Sequence, residues 1–303
     1  MKAVLCREPF SDAGWIYERK LDGIRCLAIR DGASASVRML SRNDLDLSGR
    51  YPEVREALAA QDARRFAVDG EIVAFEGSRT SFAALAGRGH HRVPVFLYAF
   101  DLVWFEGRDV TSLALRERKR LLRDALRWHG PLRLTPHRNR DGRELFERAC
   151  RRGWEGVVAK RADSPYRATR SRDWLKFKCE AGQELVIGGF TAPRGSRTDF
   201  GALLVGYHDR DDRSGPLRYA GKVGTGFDGD TLASLGAELR RLATDACPFA
   251  DPRSIREAHV TWVTPRLVAQ LGFTEWTSAG RLRHPRFLGL RDDKPASQVV
   301  RES

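Results

Sequence analysis

Apolar and polar positions in the first part of the chain fall into short runs, over residues 15–17, 25–29, 66–75, 93–105, 155–160 and 174–178. Rich in Val, Ile and aromatic residues, these runs predict β-strands, some half-buried and some buried on both faces. Residues 113–128 and 143–151 instead repeat apolar positions every three and four residues, which predicts two amphipathic helices. After Cys179-Glu180-Ala181-Gly182 the runs shorten to 185–191, 202–207 and 217–223, divided by Gly, Pro, Arg and Asp turns. A helix over 230–243 and strand candidates at 260–263, 273–277 and 287–290 complete the pattern. The reading is an α+β domain over residues 1–182 and an all-β domain over 183–303, for which a small barrel of OB-fold topology is natural. A chain of 303 residues is long enough for two such cores.

Charge narrows the class of partner. With 53 basic against 40 acidic residues the formal net charge is +13, which suits a polyanion, nucleic acid ahead of an acidic small molecule. A merely soluble, arginine-rich protein carries the same balance, so motifs must decide. Only eight of the 53 basic residues are lysines: Lys2, Lys20, Lys119, Lys160, Lys176, Lys178, Lys222 and Lys294. Where lysine survives such a bias its chemistry is called for, because only an amine can deprotonate and attack.

Cys6, Cys26, Cys150, Cys179 and Cys247 show no metal-ligand spacing, and their odd number argues against a disulfide framework. Reduced thiols in a cytoplasmic protein without structural zinc are expected. The longest apolar stretch, residues 93–105, is interrupted by Asp101 and falls short of the about 20 residues of a membrane span. With no signal-peptide core either, no membrane partner is expected.

The sharpest local pattern is Glu18-Arg19-Lys20-Leu21-Asp22-Gly23-Ile24-Arg25, a K-x-D-G-x-R sequence between two predicted strands. An amine nucleophile needs surroundings that disfavour its protonated form, and a glycine lets backbone approach a phosphate closely. Alone, the pattern equally describes a surface turn with a Lys/Asp pair. Downstream, in order, come Ser41-Arg42-Asn43, Asp69-Gly70-Glu71, Tyr98-Ala99-Phe100-Asp101, Glu155-Gly156-Val157-Val158-Ala159-Lys160, Trp174-Leu175-Lys176-Phe177-Lys178 and Arg291-Asp292-Asp293-Lys294. Their order and spacing resemble the motifs of ATP-dependent DNA ligases. Lys160-Arg161-Ala162-Asp163-Ser164-Pro165-Tyr166, Gly221-Lys222-Val223-Gly224-Thr225-Gly226-Phe227 and Phe287-Leu288-Gly289-Leu290-Arg291 are similar to the ligase domain of bacterial LigD-type end-joining enzymes in particular.

That resemblance implies a nucleotidyltransferase (adenylation) domain followed by an OB-fold domain, and a set of roles. Lys20 attacks the α-phosphate of ATP to form lysyl-AMP. Lys160, Lys176 and Lys178 are expected to depress the pKa of Lys20 and to neutralise phosphate charge. Glu18 is similar to the acceptor of the adenine amino group, and Phe100 to the ring that stacks on the base. Glu71 and Glu155 are expected at the ribose and at Mg²⁺ or Mn²⁺, with Asp22 assisting later steps. Arg25 and Arg42 are expected on the 5′-phosphate or ribose. Arg291, Asp293 and Lys294 would orient the pyrophosphate, which requires the domains to close about a hinge near Gly182. Arg194, Arg197 and Lys222 would track the backbone of nicked duplex DNA without reading sequence, and the arginines of the 116–127 helix read as a solvated face.

The resemblance further implies a free-standing ligase module, with end-joining or repair proteins as further partners; the sequence leaves the oligomeric state open, with a monomer expected. No extra DNA-binding domain is expected ahead of Lys20, so that clamping a duplex would fall to these two domains or to a partner. One departure stands out: Asp44 follows the Ser-Arg-Asn triplet where the family often has glycine, adding negative charge near the substrate phosphate. An RNA ligase or mRNA-capping guanylyltransferase shares the K-x-D-G core, but Glu18 and the Arg291–Lys294 block argue against capping. An NAD-dependent ligase is disfavoured by the absence of zinc cysteines. From another class, an inactive basic DNA-binding module would bind duplex without sealing it.

Overall fold

The chain divides into two units, Met1–Cys179 and Glu180–Ser303. The computed structural model describes all residues except 33–35, 87–92, 180, 194, 196, 197 and 303. The first unit opens with β1 (Lys2–Leu5), β2 (Trp15–Lys20), β3 (Ile24–Asp31), β4 (Arg38–Leu40) and α1 (Pro52–Ala59). It continues through β5 (Arg65–Glu76), β6 (Arg79–Thr80), α2 (Phe82–Ala86), β7 (Val95–Phe105) and β8 (Arg108–Asp109). It closes with α3 (Leu115–Ala125), β9 (Leu132–Leu134), β10 (His137–Asn139), α4 (Gly142–Arg151), β11 (Gly156–Arg161) and β12 (Arg170–Lys178).

Two sheets result. One has the order β4-β3-β5-β7-β8, with β6 on β5 and β9 on β7. Helices α1 and α3 pack on it through β7 and bury Tyr51, Leu58, Phe66, Val68, Leu97 and Leu122. Helix α1 lay unread in the sequence, although Pro52 at its first turn and Val54 and Leu58 one turn apart are its local signals. The other sheet runs β1-β12-β11-β2-β10. Helix α4 covers one of its faces, burying Tyr17, Leu145, Ala149, Val157, Ala159 and Phe177 together. Strand side chains alternate, so this packing sends Glu18, Lys20, Lys160, Trp174, Lys176 and Lys178 to the opposite face.

Two expectations, on the helix arginines and on the cysteines, fail in this unit. Arg118 of α3 is not solvated: fully buried, it donates Nε and Nη2 to the two carboxylate oxygens of Asp101 at 2.8 and 2.9 Å, because α3 lies against β7. Nor are all cysteines reduced. Cys150 at the end of α4 and Cys179 beyond β12 form a disulfide, their Cα atoms 5.2 Å apart across 29 positions. The odd count excluded a complete framework, not one bridge, and Cys6, Cys26 and Cys247 remain thiols. The thiol-based ground for a cytoplasmic setting falls with it. Among the described residues no helix is long and apolar enough to cross a membrane.

The second unit contains β13 (Ala181–Thr191), β14 (Leu203–Tyr207), β15 (Arg218–Val223), α5 (Gly229–Arg241) and β16 (Ala243–Thr244). Then follow β17 (Val260–Val263), β18 (Val268–Phe273), β19 (Glu275–Trp276), β20 (Leu282–Arg283) and β21 (Arg286–Leu290). Strand β13 pairs with β18 over its first half and β17 over its second, with β14 along its other edge. One long strand shared in this way curls the sheet around Leu185, Ile187, Leu203, Val205, Val263 and Leu271. Asp228 caps α5 by accepting from the Thr231 N–H at 2.8 Å. Gly182, expected at the domain boundary, already pairs with Gly272 inside the β13 ladder, so the unit begins ahead of it.

Candidate active site

Lys20 ends β2 opposite Gly156 of β11, which brings its ammonium within 2.5 Å of a carboxylate oxygen of the preceding Glu155. The turn that follows is fastened to the neighbouring hairpin. Asp22 donates its N–H to the Thr80 hydroxyl and accepts the Phe82 N–H on its carboxylate, each at 3.1 Å. Gly23 lies so close to β5 that a Cβ there would overlap the Ile72 carbonyl. The glycine that the motif assigned to a phosphate thus serves the packing of turn on strand.

The charge around Lys20 is the reverse of the expectation. Burial disfavours the ammonium, but Glu155, Glu71 and Asp22 outweigh it and hold the pKa above its ordinary value. The motif order told which lysines are nearby in the family, not which charges lie nearest.

Behind Lys20 on the same face, Glu18 is buried between two ammonium groups. Lys119 Nζ lies 2.5 Å from one of its carboxylate oxygens and Lys160 Nζ 2.6 Å from the other. Burial pushes Glu18 up, yet the two cations hold it below the usual carboxylate range. Burial, against the pull of Glu18, takes Lys160 down to about 8. Lys119 also donates to the carbonyls of Phe100 at 3.3 Å and Thr135 at 3.4 Å. Sequence reasoning gave Lys119 no role, although its survival in an arginine-rich chain was a signal.

Phe100 is 7% exposed and walled in. Lys160 Nζ sits 4.1 Å from its ring centroid, the Arg25 guanidinium 4.6 Å, and the Trp174 ring meets it edge-on at 5.8 Å. A base stacks on Phe100 only where one of the cations gives way. Arg25 itself makes a two-point contact with Asp69 and donates to the Met1 carbonyl at 3.1 Å. Tyr166 donates its hydroxyl to the same Asp69 at 2.7 Å. Arg25 is therefore fastened into the wall rather than turned to an open phosphate position. Asp69 and Tyr166 belong to separate motifs of the chain, and nothing local told that they meet.

Residues 1–178 match the family described as ATP dependent DNA ligase domain, and residues 196–294 match ATP dependent DNA ligase C terminal region. The chain belongs to the ATP-dependent DNA ligases. This ligase is 41% identical over 298 residues to the multifunctional non-homologous end joining protein LigD of Pseudomonas aeruginosa, covering 95% of the chain and 35% of that protein. The corresponding Mycobacterium tuberculosis repair protein is 40% identical over 293 residues, covering 95% and 37%. The ligase thus spans little more than a third of the length of these curated relatives. Its fold is similar to mycobacterial DNA ligase D complexed with ATP and MES, at TM-score 0.70 and 35% identity over 99% of this chain and 98% of that one. The ligase domain of M. tuberculosis LigD gives 0.52 and 36%, with the same coverage. The two units are accordingly a nucleotidyltransferase domain and an OB-fold domain, as expected.

Other expected residues of the ligase lie as follows. Glu71 faces Arg25 and Tyr98 across the ladders of β5. Lys176 and Lys178 pair with Val158 and Gly156 on the Lys20 side of the sheet. Arg42 is exposed in a turn where the Ser41 hydroxyl accepts the N–H groups of Asn43 and Leu45 at 3.2 and 3.1 Å. Asp44 in that turn has φ +62°, the left-handed region that explains a family preference for glycine.

In the OB-fold unit, Arg291 grips Asp293 through two hydrogen bonds of 2.7 Å, and Lys294 lies 3.3 Å from Glu184. Lys222 pairs with Glu257 at 2.9 Å beside a cavity of about 350 Å³ lined by Thr191, Gly201 and Pro285. Arg194 and Arg197 lie outside the described residues. Among the described residues no group of three or more metal ligands stands together. Glu71 and Glu155 nonetheless offer hard carboxylate oxygens beside Lys20, which suits an ion that takes one or two carboxylates and completes its shell with phosphate.

Proposed function

We propose that this ligase seals 3′-hydroxyl/5′-phosphate nicks in duplex DNA through an AMP carried covalently on Lys20, in DNA repair or end joining. The observation that carries the reading is the placement of Lys20 beside Glu155 at the mouth of a face lined by Glu18, Lys160, Lys176 and Lys178. Lys20 first loses its proton, a step that Glu155 at 2.5 Å opposes by holding the ammonium. The neutral amine then attacks the α-phosphorus of ATP. The nitrogen–phosphorus bond forms as the α–β bridge breaks, and pyrophosphate leaves. AMP passes to the 5′-phosphate of the nick, and the 3′-hydroxyl displaces it.

Where Lys119 or Lys160 yields a carboxylate oxygen, Glu18 favours adenine over guanine: it accepts from the exocyclic amine and repels a carbonyl in that place. Lys176 and Lys178 neutralise phosphate charge as it develops. Glu71 and Glu155 would hold Mg²⁺ or Mn²⁺, which supplies further neutralisation at the phosphates. Arg291, Asp293 and Lys294 act on the leaving pyrophosphate, and Arg42 and Lys222 on DNA.

The test is intact mass after incubation with ATP or GTP. The reading requires an adenylate adduct on the wild type, mapped to Lys20 and missing from Lys20→Ala, together with sealing of nicked duplex. An adduct elsewhere, or preferential guanylate labelling, overturns it.

A further inference from the structure

Beside the reacting pair lies a basic cluster that none of these steps uses. Arg19 precedes Lys20 on β2 and, by strand alternation, leaves the strand on its other face. There its guanidinium carbon lies 4.3 Å from the centroid of the Trp154 ring, and that of Arg152 lies 5.5 Å from it. Arg79 of β6 runs over the adjoining Gly153, where a Cβ would meet its Cδ and Nη1 at 3.2 Å. Arg19 Nη2 donates to the Ser78 carbonyl at 3.2 Å, while Arg19 Nε is buried with no hydrogen-bond partner.

Two guanidinium groups thus meet one indole and a third lies over the adjoining Gly153, and among the described residues none of the three forms an ion pair. Burial, with Arg152 close by, pulls the pKa of Arg19 down. An anion placed among these groups would relieve both penalties and satisfy the idle Nε. Arginines held against an aromatic face are well suited to phosphate, since the planar guanidinium binds two oxygens at once.

Position identifies the anion. Arg19 and Trp154 are the chain neighbours of Lys20 and Glu155, and β2 pairs with β11 at this point, Arg19 opposite Val157. The cluster therefore shares the rim of the active site but faces away from the side that takes the nucleotide. A nick presented to lysyl-AMP must bring its own backbone past this rim. Resting on the ligase reading above, we infer that Arg19, Arg79 and Arg152, with Trp154, bind a backbone phosphate of the DNA strand next to the nick.

The test uses the full chain with Arg79→Gln/Arg152→Gln, two exposed positions, and separately Trp154→Leu. Lys20 adenylation without DNA should proceed at the wild-type rate. Affinity of the adenylated protein for nicked duplex should fall about tenfold at low salt, and the slope of log affinity against log salt should flatten by about one. Binding and salt slope equal to wild type in both variants overturn the patch alone. Adenylation falling while DNA affinity holds overturns it too, by moving the cluster to the nucleotide side. A wild type that takes up AMP but neither binds nor seals nicked DNA instead overturns the ligase reading, and this inference with it.

Discussion

Glu155 holds the Lys20 ammonium at 2.5 Å, so the group proposed to attack ATP is kept protonated by the carboxylate proposed to serve the metal. Because that pair, with Glu71 and Asp22, raises the pKa of Lys20, adenylation should speed up as pH rises. Glu155→Gln removes the largest raising influence and should shift this limb to lower pH, even as the maximal rate falls. Single-turnover AMP incorporation from about pH 6 to pH 10 checks it, and an unmoved limb would separate Glu155 from the control of the amine.

Lys119 shares Glu18 with Lys160, and loss of one partner leaves the buried carboxylate half-compensated. Lys119→Met should lower stability by about 2–3 kcal/mol in urea unfolding, below the cost of stranding a lone buried charge because Lys160 remains. It should also raise KM for ATP, since the Phe100 carbonyl loses a donor.

Lys160 carries a pH dependence of opposite sign. Its pKa of about 8 means that the ammonium is present below that pH and lost above it. KM for ATP should therefore rise as pH passes upward through this value, and Lys160→Arg, which stays charged, should remove the rise.

The Cys150–Cys179 bridge closes a loop across 29 positions, for which chain-entropy arguments give about 3.6 kcal/mol of stabilisation. Cys150→Ser should melt like the reduced wild type, and reductant should not shift its melting further. Equal melting of oxidised and reduced wild type would show that the bridge adds no stability.

Asp44 combines a left-handed backbone with a negative charge beside Arg42. Asn tolerates the same φ and lacks the charge, so Asp44→Asn should leave melting unchanged and tighten binding to nicked DNA about two- to fivefold at low salt. The gain should shrink as salt is added.

Sequence alone determined what short segments carry. The K-x-D-G-x-R turn, the Asp69-Gly70-Glu71 strand and the Glu155–Lys160 strand were legible because each is local, and alternation there decides which side chains share a face. The change in run length near Gly182 likewise separated an α+β part from an all-β part. Tertiary structure decided which faces meet. Glu18 and Lys119 stand 101 positions apart, Arg118 and Asp101 lie on a helix and a strand, and Cys150 and Cys179 join only because α4 lies along the sheet. Periodicity tells that a side chain points inward but not what it finds there. The charge state of a buried group depends on the burial and the sign of those neighbours, so the chain revealed Lys20 while only the packed sheets revealed that carboxylates surround it.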